Sequence, residues 1–291
     1  MTTWHQLRTW LAQRLGEHLD PGEAAAEARM WLAQGLGRDG AWLASHGREP
    51  VSVEELRRVE CWMQRRAHGE PLPQILGWAP FCGRRFRVTR DVMIPRPHSE
   101  SAARAALRWG QELEVDEVVD VGTGCGNLAI TLALDSGWRI RATEVSPAAL
   151  SVARANARAL GAAVDFHLGS LLEPLAQVTG LVVANLPYVD PVNLPDLVRD
   201  LAFEPEVALV SPEAGTFLNR ALLAQARAKG ARACLLEHGP GQGAELAEAA
   251  REAGWDRVRV LPDALGHDHL LQAESAVVPS RVIPCHACRT S

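Results

Sequence analysis

The chain has 291 residues, 47% of them hydrophobic and 22% charged. That length allows one large domain, or a domain with a smaller companion, and the composition excludes a disordered or fibrous chain. The net charge of −5 argues against a general nucleic-acid binder, and no apolar run reaches the length of a membrane span. Neither nucleic acid nor membrane is therefore expected as a partner.

Residues 1–76 read as a helical domain. Trp4, Leu7, Leu11 and Leu15 recur at helical spacing, and Asp20-Pro21-Gly22 breaks the pattern. A second helix is predicted from Glu23 to Gly35. A third starts at Ser52, an N-cap with Glu55 three residues on, and carries Leu56, Val59 and Met63 as its apolar stripe. Five of the nine tryptophans fall in the first 62 residues, which predicts a compact core of their own. Residues 77–94, with Phe81, Phe86, Val88 and Val92 around Gly83, read as a hairpin linker. Ile94-Pro95-Arg96-Pro97 is then held extended by its prolines, and a helix to about Gly110 follows.

From residue 117 strands and helices alternate, which predicts a mainly parallel sheet with helices on both faces. Strands are expected at 117–121, 139–145, 163–168, 181–184, 232–237, 257–261 and 269–273. Helices are expected at 127–135, 147–160, 213–228 and 242–253. This second domain is taken as residues 77–277, and 278–291 as a tail without periodicity, expected to be disordered. The six cysteines show no framework spacing except Cys285 and Cys288 in that tail. Reduced thiols in the cytoplasm follow, and a single C-x-x-C pair does not complete a zinc site, so no metal is expected.

Three segments carry chemistry. Gly122-Thr123-Gly124-Cys125-Gly126 follows a buried strand and opens a helix, so a ligand can approach the backbone closely there. Glu144 ends the next strand, about twenty residues on, where an acid can accept both hydroxyls of a ribose. The G-x-G-x-G spacing lacks the G-x-G-x-x-G form suited to a pyrophosphate, so the pair favours S-adenosylmethionine over a dinucleotide. Asn185-Leu186-Pro187-Tyr188 stands at the end of a third strand, where open α/β sheets bind ligands. Its amide oxygen, a proline-flanked carbonyl and the chain's single tyrosine suit a planar group bearing NH2.

In this order the segments resemble the HemK family of protein-(glutamine-N5) methyltransferases. Gly69-Glu70-Pro71-Leu72, Ile94-Pro95-Arg96-Pro97 with Glu100, Glu144-Val145-Ser146-Pro147, Phe203-Glu204-Pro205 and Leu236-Glu237-His238-Gly239 fall in that family's sequence order. The resemblance implies a Rossmann-like class I methyltransferase fold behind a substrate-docking helical domain. It implies that Gly122 to Gly126, Glu144, Leu171 and Asn185 hold S-adenosylmethionine. It implies too that Asn185, Pro187 and Tyr188 are catalytic and that Asn185, Leu186, Pro187 and Tyr188 bind the glutamine of a peptide chain release factor; Arg96 is expected to line the donor–substrate cleft, with a plain surface position as the alternative. The chain departs from the family's N-P-P-Y at Leu186, and from its I-P-R-P-E-T-E at His98 and Ser99. N-L-P-Y is familiar from adenosine-N6 methyltransferases, so a nucleic-acid adenine is the alternative substrate; the same chemistry on a ribosomal protein is another.

Overall fold

The computed structural model describes residues 2–196, 199–262, 266 and 268–276. The tail at 278–291 and His267 lie outside the described residues. Two compact units share the chain: Met1–Ile94 with Asp196–Pro205, and Pro95–Pro195 with Glu206–Ser291.

In the first unit, α1 (Trp4–Leu15) buries the four residues of its stripe, and Thr3 and Gln6 close its N-terminus as a capping box. Helix α2 (Pro21–Met30) is capped by the Asp20 carboxylate, which accepts from the amides of Gly22 and Glu23. It runs into a wider π turn at Trp31–Gly35, so the second helix has two backbone geometries. A Cβ at Gly35 would lie 2.6 Å from the Trp62 ring, which explains the glycine there. A short helix α3 (Gly40–His46), capped by Asp39, was not visible in the periodicity. Helix α4 (Val53–Ala67) begins at Ser52 with the expected capping box. Helix α5 (Leu72–Leu76) ends at Gly77, whose φ is +77°.

The hairpin pairs β1 (Trp78–Phe81) with β2 (Arg84–Arg87). Cys82 and Gly83 turn it with φ of +46° and +73°, as a tight two-residue turn with both centres left-handed requires. Phe81 and Phe86 are fully buried and meet edge to face at 6.0 Å. The 196–205 segment joins this unit through specific bonds. The Gln74 Nε2 donates to the Phe203 carbonyl at 2.9 Å, and the Ile94 amide to Glu204 at 3.1 Å.

The tryptophan core is as expected with one correction. Trp4 and Trp31 are buried, and Trp42 and Trp62 pack against the same cluster, but Trp10 is exposed. Six residues after Trp4 at about 100° per residue, Trp10 falls off the inward stripe.

In the second unit, α6 (Ser99–Glu112) precedes β3 (Glu117–Val121), α7 (Asn127–Asp135), β4 (Arg139–Glu144), α8 (Pro147–Leu160), β5 (Asp165–Leu168) and β6 (Leu181–Ala184). Then come α9 (Phe217–Ala228), β7 (Ala233–Glu237), α10 (Gly243–Glu252), β8 (Arg257–Pro262) and β9 (Asp268–Glu274). The sheet runs β5-β4-β3-β6-β7-β9-β8. The five strands β3 to β7 pair in parallel, and β9 runs antiparallel between β7 and β8. Every residue of β3, β6 and β7 is buried, as in a sheet covered on both faces. The chain steps outward from β3 to β5, then returns to β6 on the other side of β3. That reversal opens a crevice at the carboxyl ends of β3 and β6, where such sheets bind ligands. Among the described residues no helix is long and apolar enough to cross a membrane.

Candidate active site

All the residues of this site lie in the second unit. The sheet register brings its loops together: Val121 pairs with Thr143 on one side and with Ala184 on the other. The glycine turn after β3, Glu144 at the end of β4 and Asn185 just after β6 therefore share one edge.

The turn is built by positive φ at Gly122, Gly124 and Gly126. A Cβ at Gly124 would meet open space, so the backbone is approachable there. At Gly122 a Cβ would lie 2.7 Å from Leu186, which puts the Asn185–Tyr188 segment directly against the turn. Beneath it Asp120 is fully buried, and its Oδ2 accepts from Thr123 Oγ1 at 2.6 Å and from the Ala129 amide at 3.1 Å. Burial pushes the Asp120 carboxyl up to about 6 against those donors.

Glu144 faces the crevice with both oxygens engaged. Oε2 accepts from the Gly124 amide and Oε1 from the Ser146 amide, each at 2.9 Å. A carboxylate oxygen has a second lone pair, so a pair of hydroxyls can still bind. Leu171 follows β5, next to β4, in a left-handed conformation with φ +45°. Cys125 is buried, and burial pushes its thiol up to about 12, so it is a wall rather than a nucleophile.

Asn185 is held from one side. Its Nδ2 donates to Glu237 Oε1 at 2.9 Å and to Ser99 Oγ at 3.1 Å, and Ser99 Oγ donates in turn to Glu237 Oε1 at 3.0 Å. With both amide protons so used, Oδ1 remains as the acceptor on the opposite side. Pro187 has a fixed φ, which stiffens the backbone that presents the Leu186 carbonyl. The Tyr188 carbonyl accepts from Gln242 at 2.9 Å, which pins the end of the segment. Burial, and next the Glu237 carboxylate, push the Tyr188 phenol up to about 12, against the opposing charge of Arg96. Arg96 is half-buried and thus acts on the Tyr188 environment.

The structure therefore brings Gly122 to Gly126, Glu144, Leu171 and Asn185 to Tyr188 to one sheet edge, with Arg96 within electrostatic reach of Tyr188. Sequence reasoning missed Glu237 and Ser99 as partners of Asn185. Glu237 ends β7 as Glu144 ends β4, so its strand-end position was the available signal. Glu237 is buried; burial works to raise its pKa, but hydrogen bonds and charge from His269 and His98 hold it below the usual carboxylate range.

Comparison with known proteins follows the same lines. A model described as PrmC N-terminal domain matches residues 6–77, and one described as Methyltransferase small domain matches residues 102–209. The hMettl16 catalytic domain, solved in complex with MAT2A 3′UTR hairpin 6, superposes with a TM-score of 0.56 at 15% identity, covering 82% of this chain and 94% of that one. That similarity establishes a shared fold. The release factor glutamine methyltransferase of Cereibacter sphaeroides is 37% identical over 257 residues, covering 86% of this chain and 91% of that protein. That of Deinococcus radiodurans is 33% identical, covering 93% of this chain and 99% of its own length. With its matched domains, its sheet order and this likeness over most of its length, the chain is a methyltransferase and belongs to the release factor glutamine methyltransferase family.

Proposed function

We propose that the protein moves a methyl group from S-adenosylmethionine to the side-chain amide nitrogen of a glutamine in a peptide chain release factor, in the cytoplasm. The observation that carries this reading is the Asn185 amide, locked by Glu237 and Ser99 beside the glycine turn with its oxygen directed away from them.

The residues suit the donor. The open face at Gly124 admits a ligand to the backbone, and the Glu144 carboxylate can take ribose hydroxyls. Gly122, Thr123, Gly124, Cys125, Gly126, Glu144, Leu171 and Asn185 would hold it. The bound donor supplies a methyl group already activated on a sulfonium.

An amide nitrogen is a weak nucleophile, because its lone pair is delocalised into the carbonyl. Asn185 Oδ1 and the Leu186 carbonyl accept its two N–H groups and turn the lone pair toward the methyl. Fixed orientation of this kind can recover roughly 7–11 kcal/mol of barrier. The same acceptors stabilise the positive charge that grows on nitrogen. Tyr188 stays a neutral phenol near neutral pH and packs on the amide plane, and Pro187 keeps the turn rigid. Arg96 lines the substrate side. Neither Cys125 nor Tyr188 is poised as a base, and the methylated nitrogen loses its proton to water. The helical unit is the docking element for the release factor. It carries a groove of about 490 Å³ lined by Trp10, Arg14, His18 and Met63 among others.

Incubation with labelled donor and either a Gly-Gly-Gln peptide, ribosomal protein or RNA tests the reading. One added methyl on the peptide glutamine, found by mass spectrometry, is the expected result; transfer to RNA alone would replace it with the adenine reading. In Asn185→Ala, donor binding should weaken only modestly, because the glycine turn and Glu144 still hold the donor, while turnover falls by at least about a hundredfold, in the range of a lost oriented acceptor. Unchanged turnover would remove Asn185 from the reaction.

A further inference from the structure

His98, Glu237 and His269 offer three ligand atoms that all lie within 4.8 Å of one another. Glu237 also holds the Asn185 amide, but the two histidines have no part in the reading above. Both His98 Nε2 and His269 Nε2 stand 3.2 Å from Glu237 Oε1. The two rings are perpendicular, at 89°, with centroids 4.8 Å apart.

The fold builds this arrangement rather than leaving it to loose side chains. Glu237 ends β7, and the β7–β9 register sets it opposite Leu270, next to His269. The His238 amide donates to the His269 carbonyl at 3.0 Å and fixes that edge. His98 is the N-cap residue of α6, one position before Ser99, which is itself bonded to Glu237. Glu237 is fully buried, and its Oε2 has no hydrogen-bond partner among the described residues. A buried, charged oxygen without a partner is costly, so it calls for a cation or a donor.

The geometry points to a zinc site made by His98, Glu237 and His269. Zinc takes imidazole nitrogen and carboxylate oxygen at about 2.0–2.2 Å, and two ligands on a tetrahedron of that size stand about 3.3–3.5 Å apart. The two 3.2 Å separations are close to such edges. Two nitrogens and one carboxylate suit a borderline ion and are a poor set for magnesium or calcium, which want oxygen throughout. Three protein ligands leave a fourth position for water, and His98, with its side chain 41% exposed, gives that position an approach. The ion clamps the start of α6 to the end of the sheet. It acts on Asn185 through Glu237, whose Oε1 accepts from Asn185 Nδ2. The site stands whether or not a release factor is the substrate.

The test is zinc binding to the full chain after stripping with a chelator, by calorimetry, on a Cys285→Ser/Cys288→Ser background that removes competing thiolates. Stoichiometric binding is expected there, weakened by about tenfold or more in His98→Ala and in His269→Ala. Cobalt should bind in place of zinc with the intense visible bands of a four- or five-coordinate ion, and magnesium should not compete. Because His98 also contacts Glu237 without metal, each variant's Tm is compared with and without zinc, and the rise that zinc confers on the parent should be lost in His98→Ala. Absence of stoichiometric binding overturns the site, as does binding in either histidine variant that is as tight as in the parent.

Discussion

Asn185 owes its orientation to two acceptors on one side of its amide, which leaves its oxygen on the opposite side. Removing one neutral hydrogen bond costs about 1 kcal/mol, which is about fivefold in rate. Ser99→Ala should therefore lower kcat about fivefold with donor affinity unchanged, since Ser99 contacts Asn185 and Glu237 and not the glycine turn. A kcat equal to wild type would mean that Glu237 alone sets the amide. Ser99 was visible in the sequence only as a departure from a family pattern. Its partner Glu237 lies 138 positions away, and no spacing rule joins such a pair.

Elements in this chain are set largely by local signals, and local signals are what a sequence displays. Ser52 and Glu55 form both halves of the capping box at the start of α4, as their spacing implied. Ser52→Ala should cost about 1 kcal/mol of stability, read as a lower urea midpoint, because the Glu55 amide loses its acceptor and the Glu55 carboxylate loses the Ser52 hydroxyl. No change would place the start of α4 under tertiary control alone. The start of α8 at Pro147 and the hairpin around Gly83 were legible for the same reason, though Cys82 as the other left-handed centre of its turn was not. The segments that were not legible are the ones with weak local signals. Helix α3 has seven residues and one buried apolar position, too few to display a period. The π turn at Trp31–Gly35 packs its Gly35 against the Trp62 ring, 27 residues further on, a contact that no local pattern displays.

Stability against pH belongs to the whole molecule, and Asp120 sets part of it. Its carboxyl rises from 3.8 to about 6 on folding, because burial under the glycine turn removes it from water. Below the unfolded value both states are protonated and this carboxyl opposes nothing. Between about pH 4 and pH 6 the folded state keeps a proton that the unfolded state has released, so stability falls as pH rises. The loss amounts to on the order of 2–3 kcal/mol at neutral pH, at about 1.4 kcal/mol per unit. Asp120→Asn keeps an oxygen for Thr123 and Ala129 and removes the titration. The difference in unfolding free energy between the two proteins should therefore swing in the variant's favour from about pH 4 to about pH 7. A difference that stays constant over that range would mean that Asp120 titrates normally.

Two classes of information meet in this protein. Periodicity, caps, prolines and the alternation after residue 117 determined the longer helices, the mainly parallel sheet and the position of each chemical segment at a strand end. Those features depend on neighbours within a few residues, so the chain order alone displays them. Only the tertiary structure decided which strand ends adjoin. The β3–β6 pairing sets Leu186 against Gly122, and the β6–β7 and β7–β9 pairings bring Asn185 and His269 to the Glu237 carboxylate, where the start of α6 adds His98 and Ser99. Strand order is a choice among registers made by burial of the whole sheet, and its outcome is a distance between residues that are remote in sequence.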